Sequence, residues 1–274
     1  MLGKLIKFEW KDTYLIGTIS GIVVLILALI GAIVFQTDLW NMDFRSSTAE
    51  SLVATTIIFY FTAYIMGIGA MVLVMRYYFF WRYYKNLFTD QGYLMNTLPV
   101  TGSQLLNAKL LVALVWQYIT WIVVSLAIFI LAFGFMNGIE AVSLGELMEA
   151  LREGIHEIYR DLPGELTIYF VSIMLIVLIS PLSEIMLMYT AVGIGQLNKK
   201  HKFLISVLIL IGLYMARSFL LQIAMVPMNF MFVGTADVWA FNVGSLITLF
   251  VLIGMIIGLW FLNKYFIEKR LNLE

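Results

Sequence analysis

Six apolar stretches, each long enough to cross a bilayer, fill this 274-residue chain, and its lysines and arginines gather at alternate ends of them. They fall at about 14–35, 52–75, 110–135, 166–193, 203–226 and 240–262. A helix needs roughly 20 apolar residues to cross about 30 Å of hydrocarbon. The runs are continuous rather than alternating, so helices and not barrel strands are expected to do the spanning. The fold class that follows is all-α: a single polytopic membrane domain of six transmembrane helices.

Composition agrees. Hydrophobic residues make up 62% of the chain and charged residues 12%, about half the charge of an ordinary soluble domain. Net charge is zero, which gives no electrostatic basis for binding nucleic acid. There is no cysteine, which excludes disulfides, thiolate metal sites and thiol catalysis. The first span has too long an apolar core for a signal peptide and lacks a small-residue cleavage site, so it reads as an uncleaved helix.

Orientation follows from the positive charges in the loops. One set of segments carries Lys4, Lys7, Lys11, Arg76, Arg82, Lys85, Lys109, Lys199, Lys200, Lys202, Lys264, Lys269 and Arg270. The other carries Arg45, Arg152 and Arg160 together with most of the acids, while Arg217 lies inside a span. Both termini are therefore expected on the cytoplasmic side of a cell membrane.

Three segments outside the spans have a readable pattern. Near the N-terminus, Leu2, Leu5, Ile6 and Trp10 share one helical face opposite Lys4, Lys7 and Lys11. This suits either an elbow helix lying in the interface or a positive anchor for the first span. In the large outward loop, at about 136–165, Leu147, Met148, Leu151, Ile155, Ile158 and Tyr159 lie opposite Glu146, Glu149, Glu153 and Glu157. That predicts an amphipathic helix, started by a Ser143–Glu146 capping box and ended by Pro163-Gly164. The link from Val226 to Trp239 is apolar enough to dip back into the membrane.

The third segment joins spans two and three. It opens with RYYFFWRYYK, an aromatic and basic belt of the kind found at membrane boundaries. Pro99 disfavours helix at Leu98. Thr101 and Gln104 then have capping-box spacing, with Val100 and Leu105 placed as a hydrophobic staple, so the third helix should start near Gly102. Residues Tyr84 to Thr97 read as a separate helix-and-turn element.

Enzymatic chemistry finds little support. No G-x-x-x-x-G-K-[ST] phosphate cradle occurs, so the chain has no nucleotide site of that kind. With two histidines, neither in a span, no serine has a plausible base. Glu153, His156 and Glu157 have helical spacing, which fits a solvated face better than a metal site. Two ionisable residues do lie within spans: Glu184, just after Ser180-Pro181, and Arg217. Charges at membrane depth face a bundle interior or water. The two can form a buried ion pair, or flank a substrate path. Gly17, Gly21 and Gly31 would permit close helix approach, though glycines on a lipid-facing helix would look the same.

The stretch YKNLFTDQGYLMNTLPVTGSQLLNAKLL resembles the segment joining the second and third spans in type-2 ATP-binding-cassette permeases of Gram-positive bacteria. The resemblance is specific over about residues 82–111 and architectural elsewhere. It implies a transport subunit with no cofactor of its own, working with cytoplasmic ATPase subunits that bind ATP and Mg and with a second permease copy or paralogue. It also implies that Lys85, Asn86, Leu87, Phe88, Thr89, Asp90 and Tyr93 form the element coupled to the ATPase. Export of an amphipathic peptide-, lipid- or drug-like substrate would follow. An ion-coupled secondary transporter and a non-transporting scaffold or sensor subunit are the alternative readings.

Overall fold

In the computed structural model the described residues are 2–36, 47–89, 92, 99–138, 144–161, 167–198, 200–226 and 238–269. They form long helices with no strand among them. In chain order these are α1 (Leu2–Phe35), α2 (Ser47–Phe88), α3 (Gly102–Gly138), α4 (Leu144–Asp161), α5 (Thr167–Gly195), α6 (Lys202–Ala224) and α7 (Val238–Lys269). All but α4 are long and apolar enough to cross a bilayer. The chain is a transmembrane helical protein, with six helices of this kind among the described residues.

The helices run past the apolar windows read from the sequence. With 42 residues, α2 is about 60 Å long, twice the hydrocarbon thickness. Its final turns therefore project beyond the apolar core, and they hold the aromatic and basic belt. The N-terminal amphipathic segment is helical, as expected, and is continuous with the first span in α1. Likewise Lys85 to Phe88 form the last turn of α2 rather than the start of a separate element.

The start of α3 matches its sequence signal. Thr101 Oγ1 accepts from the Gln104 N–H at 3.3 Å, and Gln104 Oε1 accepts from the Thr101 N–H at 3.4 Å. Both arms of the capping box are present, and the helix opens at Gly102. The amphipathic helix expected between the third and fourth spans is present as α4, from Leu144. Ser143, Pro163 and Gly164 lie outside the described residues, as does most of the Val226–Trp239 link.

The chain divides into two compact units. One comprises Trp10–Tyr77 and Val115–Tyr159. Its core is built from Val24, Ala28, Phe35, Tyr64, Met71, Ala127 and Leu131 on α1, α2 and α3. Two glycines of α1, Gly17 and Gly31, are used here, whereas a Cβ at Gly21 would meet Met71 and Val123 at an ordinary 3.6 Å. A Cβ at Gly17 would sit inside the Trp116 indole, and one at Gly31 would overlap Tyr60 and Leu131. Gly134 lies against the backbone of Ala32. Small residues let α1 and α3 approach this closely. Two polar side chains in the same unit find local partners: Tyr60 Oη donates to Leu27 O at 2.7 Å, and Trp116 Nε1 to Thr13 Oγ1 at 3.0 Å.

The other unit comprises Met1–Glu9, Tyr78–Leu114 and Arg160–Glu274. Here α5 packs against both α6 and α7. A Cβ at Gly193 would enter the Phe266 ring, and one at Gly195 would overlap Ser206. Asn263, fully buried on α7, donates from Nδ2 to Met186 O at 2.9 Å and Thr190 Oγ1 at 3.0 Å, both on α5. Trp260 Nε1 donates to Asn107 Oδ1 on α3 at 3.0 Å. The α5 helix passes through Pro181 without a break. Proline has no N–H for the carbonyl of Val177, and Ser180 Oγ lies 3.5 Å from that oxygen, a long contact on the side the ring leaves open.

A buried charge cluster as the candidate functional site

On α1 the buried side follows a helical stripe: Leu2, Leu5 and Ile6 are half-buried, and Glu9 and Thr13 are buried. Glu9 stands four residues after Leu5 and three after Ile6, so its carboxylate points where an apolar side chain is expected. It is 5% exposed. A lone carboxylate there would be costly, and the site supplies two cations. Arg82, near the end of α2, donates from Nε at 3.0 Å and from Nη2 at 2.9 Å to Glu9 Oε2. Lys109, two turns into α3, donates from Nζ to the other oxygen, Oε1. Arg82 is 8% and Lys109 3% exposed. Three helices are thus joined through one carboxylate.

The surroundings are closed. Tyr83 and Tyr189 stack face to face, with centroids 3.8 Å apart and planes 5° from parallel. Tyr189 Oη reaches Lys109 O at 3.5 Å, and Tyr78 Oη lies 3.4 Å from Arg82 Nη1. The gap left between Glu9, Phe79, Arg82, Tyr83, Lys109, Val112 and Tyr189 measures about 10 Å³. That is room for one water molecule at most. No substrate fits it, so the chemistry available is electrostatic fastening rather than binding or turnover.

The residues expected to couple to a partner lie just beyond this cluster. Leu87 is fully buried, Asn86 and Phe88 nearly so, and Phe88 meets Tyr83 edge-on at 6.0 Å. Their apolar surface is spent inside this chain. Lys85 is half-buried, with Nζ 4.8 Å above the Trp81 ring, and Thr89 is half-buried beside it. Asp90 and Tyr93 lie outside the described residues.

Glu184 on α5 and Arg217 on α6 come together. Arg217 Nη1 is 3.6 Å from Glu184 Oε1, and the side chains are 15% and 18% exposed respectively. Of the two readings left open by the sequence, the ion pair is the one with direct geometry.

Loop charges alone do not reveal the cluster on Glu9, because they mark Arg82 and Lys109 only as positive-side residues. A signal did exist. Glu9 is the one acid on the apolar stripe of the N-terminal segment, and Lys109 is set among Leu105, Leu106, Val112 and Ala113. Among the described residues, no three His, Asp or Glu side chains converge as metal ligands would. No family model, curated protein or solved structure matches the chain.

Proposed function

We propose that the chain is the membrane-spanning subunit of an ATP-driven transporter, an exporter of amphipathic substrates powered by separate cytoplasmic ATPase subunits. What supports this reading is how the family-like stretch, residues 82–111, is mounted. Its two flanks, Arg82 and Lys109, are the two cations on Glu9. A force applied to the link between α2 and α3 would reach α1 through a short, fully paired ionic joint. Coupling needs such a joint: ATP must favour one arrangement of the spans energetically, and a loose link would dissipate that preference. With Leu87 and Phe88 packed inside, the surface offered to an ATPase would fall on Lys85, Thr89 and the link that follows.

The test is purification from the native host in nanodiscs, with mass spectrometry of copurifying proteins. A stoichiometric ATP-binding subunit, lost on Lys85→Glu while the spans remain folded, is the expected result. Recovery of the chain alone, under conditions that keep ABC complexes intact, would overturn it.

A second reading has one specific observation in its favour. The Glu184–Arg217 pair at membrane depth is the kind of group an ion-coupled secondary transporter uses. Gradient-driven, ATP-independent transport in proteoliposomes, abolished by Glu184→Gln, would select this reading instead.

A further inference from the structure

The α4 helix has a face that the described residues do not cover. Met148 is 59%, Leu151 50% and Ile155 63% exposed, and they follow one another at helical spacing. On a 3.6-residue helix, Leu144, Leu147, Ile158 and Tyr159 fall on the same side by sequence. Glu146, Glu149, Glu153 and Glu157 fall on the other. Over its length the helix carries five acids against two arginines.

What covers this face is constrained by how α4 is tied. Five residues, 139–143, join it to span α3, and five more, 162–166, join it to span α5. Five residues reach at most about 17 Å. Both ends of α4 are thus held close to the ends of membrane spans, where the headgroup layer lies. A second copy of the chain is a poor occupant. One side of this helix, about 27 Å by 10 Å, falls well short of the roughly 800 Å² that each partner gives a stable interface. The acyl–headgroup boundary sets no such minimum, and it already covers the adjoining spans.

We propose that α4 lies in the membrane–water boundary, with its Met148–Leu151–Ile155 side among acyl chains and its glutamates in water. Interfacial helices usually add attraction between basic residues and anionic lipid. This one has the opposite charge. Its net charge is negative, so its seating rests chiefly on apolar burial, and anionic lipid in that leaflet opposes it, because the negative surface potential repels the acidic side. The α4 surface would then report the lipid charge of its own leaflet. None of this depends on the transport reading.

The chain has no native cysteine, so single cysteines can carry a spin label without further changes. Labels at Met148, Leu151 and Ile155 are compared with labels at Glu149 and Glu153 in zwitterionic phosphatidylcholine nanodiscs. The expected pattern is high oxygen and low nickel-chelate collision at the first three, reversed several-fold at the other two. Replacing part of the lipid with phosphatidylglycerol should move the first three toward nickel accessibility. Nickel access at all five positions would overturn the interfacial placement. So would shielding of the first three from both reagents, which marks a protein cover. Seating unchanged or deepened by phosphatidylglycerol would overturn the charge dependence.

Discussion

Glu9 is the residue whose replacement says most about this chain. Removing its charge leaves Arg82 and Lys109 buried without their shared acceptor. Glu9→Gln is expected to cost about 3–5 kcal/mol, the range for a broken buried ion pair. The measurement is the melting temperature in detergent, with the monodisperse fraction on size exclusion as a second readout. Apolar side chains often replace a whole buried charge cluster without loss. The triple change Glu9→Met, Arg82→Met and Lys109→Met should therefore recover most of that stability. If the triple variant were as unstable as the single one, the ionic joint would be doing more than balancing its own charges. This residue also marks where reading by loop charge fails. Counting lysines and arginines sets an expected orientation, but the count is blind to which of them turn inward. Only the helical phase of Glu9 against Leu5 and Ile6 carries that information.

At the scale of the helices, ends and close approaches are the sensitive points. Thr101→Ala removes one arm of the capping box at the start of α3 and should cost about 1 kcal/mol. The loss should show as faster hydrogen exchange in the first turn of α3, with the remainder of that helix unchanged. Gly134→Val should be far worse, because its Cβ would meet the backbone of Ala32, which cannot rotate away. Overpacking of this kind costs about 1–3 kcal/mol or more. Gly254→Val is the matching control, with nothing within 4 Å of the added carbon. Comparable folded yields for the two variants would refute the close α1–α3 approach. The helices themselves were legible in advance: six spans from apolar length, the α3 start from Pro99 and Thr101, and α4 from its two-sided pattern. Which glycines serve packing was not. A glycine's role depends on the residue facing it, and Trp116 is 99 positions from Gly17 in the chain.

Taken whole, the molecule presents broad apolar surfaces, with Phe59, Met66, Met215 and Phe250 each about two-thirds or more exposed. In water such surface would aggregate; against acyl chains it is satisfied. That setting decides how the Glu184–Arg217 pair behaves. Glu184→Leu alone strands an arginine at membrane depth and should lower stability by about 1–2 kcal/mol, in the range of interhelical polar contacts in bilayers. The double change Glu184→Leu with Arg217→Leu should restore the folded yield, read by fluorescence-detected size exclusion. On the transport reading, substrate movement by the double variant would then separate a fastening from a path. The sequence placed both residues inside spans but left their pairing open. The α5–α6 packing at Gly195 and Ser206 brings their helices together.

The joint on Glu9 also sets an order of events during synthesis. Its two cations lie 73 and 100 positions further along the chain. At ribosomal speeds of about 5–20 residues per second, Lys109 follows Glu9 by roughly 5–20 s. Throughout that interval the nascent N-terminus carries an acid facing what will become the protein interior. The first turns of α1 can reach their final seat only after the third span has begun to emerge. The first turns of α1 are thus fastened well after they are made, and a chain halted before Lys109 leaves the ribosome with its first helix incompletely fastened.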